Sequence, residues 1–113
     1  MMGFINEKIG VIINILESIK KIVNTSETVV LHSTFETKES VIDELDNHIL
    51  RLKSEDFSEI EDLIFLFSPT SDLQEISIDN GWGEKFLFIS ERFDGAIKEL
   101  IDEYNLKPFS NST

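Results

Sequence analysis

Two histidines and 22 carboxylates are the side chains of this 113-residue sequence best suited to moving a proton or holding a metal. His32 and His48 are neither four residues apart nor paired with a glutamate in a zinc-site spacing. His48 falls on the flank of an apolar stripe, one turn from Leu45 and Leu52, where a histidine at the core boundary is the ordinary reading. Among so many acids a pair for general acid–base work can be chosen anywhere, so no such pair carries information. Cysteine is absent, which removes disulfides, thiolate metal sites and a thiol nucleophile and fits a reducing compartment.

The remaining chemical candidate is the stretch FSPTSDLQEISIDNGWGEKF over residues 67–86. Gly81-Trp82-Gly83 begins like a dinucleotide fingerprint, but the third glycine is replaced by Phe86 and no buried strand precedes it. Counted as a calcium loop around Gly81, the ligand positions fall on Asn80, Ile78 and Ile76, and two of these are isoleucine. The sequence therefore assigns no catalytic residue, no metal ligand and no cofactor. Its turn chemistry reads instead as a connection. Pro69 ends one element, and Ser71 with Gln74 has capping-box spacing for a short helical turn. Asp79-Asn80-Gly81 then tolerates the backbone of a reversal. An alternative pairs LIFLF and LQEISI as two strands around SPTSD.

The elements around this corner are helical. Ile5, Ile9, Ile12, Leu16, Ile19 and Val23 recur at spacings of four and three, which predicts a central helix over 4–23. Thr37 is an N-cap for a second helix over 38–53, with Ile42, Leu45, Ile49 and Leu52 as its stripe. Ser58 and Glu61 suggest a cap for a third over 58–67. Phe86, Ile89, Phe93, Ile97, Leu100 and Tyr104 mark a last helix over 84–105, which Pro108 keeps from extending. Val29, Val30 and Leu31 favour an extended segment near 29–34, as a short strand or a buried connector. The fold class is mainly α: a four-helix, bundle-like single domain over 1–109, with a frayed tail at 110–113. The composition agrees, being 41% hydrophobic and 10% aromatic, enough for a core in one domain.

Charge is spread unevenly. The net −12 leaves residues 1–35 neutral and places −7 on residues 36–62. Such a field repels nucleic acid and anionic membranes and attracts basic proteins, although a solvated, solubility-conferring face reads the same way. Asp43, Glu44, Asp46, Glu55, Asp56, Glu59, Glu61 and Asp62 cluster about the junction of the second and third helices, where they would steer a basic partner. Trp82, between two glycines, is either a core plug or the apolar anchor of that contact, a role that an exposed phenylalanine would also fill. Glu7, Lys8 and Glu17 interrupt the apolar N-terminal stretch, so the sequence predicts neither a signal peptide nor a membrane span, and a cytoplasmic location.

Small size, no cysteine, helical stripes, acidic second and third helices and no catalytic motif together resemble the small acidic bacterial immunity proteins that neutralise secreted or contact-delivered toxins. The resemblance is one of composition and architecture over the whole chain. It implies action by occlusion: an acidic face covers the basic substrate cleft of a toxin, often a nuclease, without chemistry of its own. Two other classes use the same features. A nucleic-acid mimic would use the carboxylates as phosphate surrogates, and a self-associating adaptor would use surplus apolar surface on the first helix to form a homodimer.

Overall fold

The computed structural model describes residues 6–25 and 27–109, so the predicted frayed tail and the first residues of the predicted first helix lie outside the described residues. Five helices follow in order: α1 (Glu7–Val23), α2 (Lys38–Lys53), α3 (Ile60–Leu66), α4 (Asp72–Asp79) and α5 (Gly83–Tyr104). The expected mainly α bundle is found. The four predicted helices are joined by a fifth, because the short turn capped by Ser71 runs on for eight residues. No strand occurs among the described residues, so neither the pairing of LIFLF with LQEISI nor a strand near 29–34 is formed.

Each helix boundary has a local cause. Asn6 accepts the Lys8 backbone N–H at 2.8 Å and opens α1. Thr37 and Ser40 bond each other's backbone N–H in a reciprocal capping box at the start of α2. Ser71 accepts from the Gln74 N–H at 3.2 Å and starts α4. Ser58 does not cap α3, which begins two residues later without a side-chain cap. Its hydroxyl and N–H are instead donated to Asp56, at 2.7 and 3.0 Å, in a tight turn before the helix. At the far end Asn105 takes a left-handed backbone, φ 54°. The Leu106 N–H then reaches back to the Ile101 carbonyl at 3.0 Å, closing α5 ahead of Pro108.

α1 is the central element. It packs against α2 and α5, and α4 packs on α5. α1 and α5 run antiparallel: Lys8 pairs with Glu103 at 3.2 Å near one end, and Ile22 lies beside Lys85 near the other. The core is one cluster drawn from all five helices, with Phe67 stacked between Phe86 and Phe93 at centroid distances of 5.9 and 4.0 Å.

The connector from α1 to α2 is a series of turns strapped to α4 by polar side chains. The Asn80 amide accepts the Val29 N–H at 2.8 Å and donates to the Val29 carbonyl at 2.7 Å, pairing with one residue's backbone as a neighbouring strand would. His32 donates to Asp79 at 2.8 Å, and Asp72 receives the Thr34 N–H at 3.2 Å. The Val29–Thr34 segment is thus held by three side chains of α4 and its C-terminal cap. These bonds take the place of the strand pairing that β-branched residues alone suggested.

Two outcomes follow from this packing. Phe93, fully buried at mid-helix, should cost about 3–5 kcal/mol when changed to Ala, read from denaturant midpoints; a loss below about 1 kcal/mol would place its stripe outside the core. Hydrogen bonding to Asp79, aided by its charge, raises the His32 pKa above 6.5. Protonated His32 therefore strengthens the strap below the unfolded pKa, and that contribution is lost as pH rises through the folded value. An NMR titration should place His32 above 6.5 and Asp79→Asn should return it towards the free value; an unchanged midpoint would deny the contact its role.

Candidate functional site

The eight acids singled out in the sequence lie on α2, α3 and the turn between them, but the fold does not gather them into one face. Arg51 takes two of them. Its guanidinium reaches Asp56 at 2.8 Å and Glu59 at 3.1 Å, and Asn47 steadies Glu59 from the previous turn at 3.0 Å. The Asp56 carboxyl titrates below its usual value, first through the Ser58 hydroxyl and N–H, with Arg51 adding to the effect. This cluster joins the end of α2 to the start of α3, so its charges work inside the fold.

Three more carboxylates are also engaged. Asp46 pairs with Lys20 of α1 at 2.6 Å and holds the Lys20 pKa above its usual value, chiefly through that hydrogen bond. Glu44 meets the imidazole of His48 at 3.1 Å. His48 is 2% exposed, more deeply set than a boundary position, and lines a small cavity with Leu52, Ile60 and Leu63. Glu61 accepts the Phe109 backbone N–H. Asp43, Glu55 and Asp62 make no ion pair among the described residues, and of these Glu55 interacts with the Tyr104 hydroxyl, helping to raise its pKa behind the larger effect of burial. Glu55 sits on a left-handed backbone, φ 53°, at the turn after α2.

Helical phase separates the acids further. His48, Arg51 and Leu52 face α3. At about 100° per residue, Asp43 and the exposed Leu50, seven residues apart, project from the opposite side of α2. Trp82 is farther still. It is half-buried at the N-cap of α5, edge-on to Phe86 at 6.0 Å and beside Ile22 and Thr25. Phe57, next to Asp56, packs on Tyr104 at the other end of α5 with centroids 4.8 Å apart. A helix of 22 residues separates these two ends by about 30 Å. Trp82 therefore shares no contact surface with Glu55 or Asp56.

The sequence allows an exposed phenylalanine as anchor without saying which, and one lies among the acids. Phe65 is 59% exposed. Burial of Ile60, Leu63 and Leu66 fixes the phase of α3 and turns residues 61, 62 and 65 outward together. The run LIFLF is apolar on every side, so only the helix start could have told which phenylalanine faces water. Glu61 and Asp62, one turn before Phe65, give this outward face an apolar centre and an acidic edge.

Among the described residues no group of three or more His, Asp or Glu side chains is placed to hold a metal ion, and no helix is long and apolar enough to cross a membrane. No family model, curated protein or solved structure matches the chain.

Proposed function

We propose that this protein is a non-enzymatic inhibitor that docks onto a basic protein and blocks it, the role of an immunity protein against a toxin. The observation that carries this reading is the outward face of α3, where exposed Phe65 stands beside Asp62 and Glu61 on a chain of net charge −12. Charge and apolar surface have different duties in such a contact. Unpaired carboxylates accelerate encounter with a basic surface, and a desolvated aromatic sets the lifetime of the complex. Asp43, Glu55 and Asp62 have no cationic partner among the described residues; Asp62 stands on the docking face, and the other two act on a basic partner through the longer-range field. Asp56, Glu59 and Asp46 are already paired with Arg51 and Lys20, which offsets part of their charge. Phe65 replaces Trp82 as the anchor beside α3.

The test captures partners on immobilised protein from a lysate of the source cell at low salt, and measures binding of the purified partner. The expected partner is basic. Asp43→Asn, Glu55→Gln and Asp62→Asn together should slow its association by about tenfold at low salt and flatten the salt dependence. Phe65→Ala should mainly speed dissociation, and Trp82→Ala should leave both rates near the parent's. A partner whose kinetics ignore the triple amide change and Phe65→Ala would refute this surface.

A further inference from the structure

The outer face of α1 and α5 carries both signs of charge, and carries them in a particular order. Near the end of α1 and the start of α5 an open groove is lined by Lys21, Lys85 and Arg92 over Ile22 and Phe88, with no carboxylate in its wall. Further along the same two helices a second depression is lined by Glu7 and Glu99 with Lys8, Val11 and Ala96. Lys21, Lys85, Arg92, Glu7 and Glu99 form no ion pair among the described residues. The face is thus basic at one end and acidic at the other.

That order is its own complement. Lys21 and Glu7 lie seven residues either side of Asn14 on α1, and Lys85 and Glu99 lie seven residues either side of Arg92 on α5. The two midpoints share one level of the antiparallel pair, since Lys21 lies beside Lys85 and Glu7 beside Glu99. We propose that this face binds a second copy of the chain. The two-fold axis crosses both helices at Asn14 and Arg92, so α1 lies antiparallel on α1 and α5 on α5. Each Lys21 then meets the partner copy's Glu7, and each Lys85 the partner copy's Glu99. An axis parallel to the helices would set base against base, so the charges select between the two arrangements.

The apolar detail agrees. Phe88 is 64% exposed, and the antiparallel arrangement brings it over Gly95 of the other copy. A glycine inside a helix costs stability relative to alanine, and a Cβ at Gly95 would meet nothing within 4 Å inside the subunit. The opening it leaves has a use only when something approaches from outside. The cost lies at the axis, where Arg92 comes opposite its own copy. The contact spans residues 7–21 of α1 and 85–99 of α5 on one face of each helix; it is held mainly by solvent-exposed ion pairs, each worth little, so the dimer is a weak one.

Sedimentation velocity over about 10 µM to 1 mM, the range in which a weak dimer dissociates, should show a monomer–dimer equilibrium. Lys21→Glu with Lys85→Glu makes both ends of the face acidic, and Glu7→Lys with Glu99→Lys makes both basic. Each double variant alone should dimerise at least about tenfold more weakly, and mixing the two should restore association as a heterodimer. The chain has no cysteine, so Asn14→Cys introduces a single thiol at the axis. It should form a disulfide-linked dimer much faster than Lys53→Cys on exposed α2, and this measurement needs no charge reversal. Monomer throughout the range, no recovery on mixing, or equal cross-linking of the two cysteine variants would each overturn the proposal.

Discussion

The burial of α1 is the constraint on which the other helices depend. Seven of its 17 residues are buried, and five of those seven are isoleucine. Branching at Cβ makes such a sequence an indifferent helix on its own, because each side chain is confined to few rotamers. Its helical state is therefore secured by packing, and the packing is two-sided, with α2 and α5 both set against it. What remains of α1 for solvent is a narrow strip, Glu7, Val11, Asn14, Glu17, Ser18 and Lys21, which recurs at helical spacing opposite the buried stripe.

The smaller helices are attached by different physics. α3 and α4 have seven and eight residues, too few to be stable by themselves. α3 is seated by Ile60, Leu63 and Leu66 and tied by the Arg51 cluster. α4 is seated by Leu73 and Ile76 and tied by Asn80, Asp79 and Asp72 to the connector that passes over it. Apolar area sets where these helices lie, while polar side chains define the path of the chain between them. The same polar groups that looked available to a partner are in several cases consumed in this way.

Most of the fold was legible because α1, α2 and α5 are long, periodic and clearly ended. Thr37, Phe93 and Ile97 were placed from spacing alone, and all three occupy the positions that spacing assigned. Less could be read where a residue's partner is distant in the chain. Val29 to Leu31 are β-prone, yet their partner is an asparagine side chain rather than a strand. Ser58 has capping-box spacing, yet Asp56 two residues earlier competes for its hydroxyl. The acidic run gave a correct sum of charge without its distribution: helical phase sends Asp43 and Glu59 to different sides, and Arg51 removes two carboxylates from view. Phe65 was hidden by apolar neighbours on every side.

Asn80 has a further consequence, in the chemical ageing of the polypeptide. Asparagine followed by glycine is the pair most prone to cyclise, the glycine nitrogen attacking the side-chain amide carbon with loss of ammonia. Here the amide is held on both sides: its oxygen by the Val29 N–H, its nitrogen by the carbonyls of Val29 and Ile76 at 2.7 and 2.8 Å. The Gly81 nitrogen meanwhile donates its own proton to Ile78 at 3.2 Å. Deamidation therefore waits for the strap to open, and once it occurs the new carboxylate faces two carbonyl oxygens with no proton to offer either. The strap does not re-form as it was. Each opening of this short loop thus exposes the molecule to an irreversible change, and the frequency of that opening limits how long a folded copy remains chemically intact.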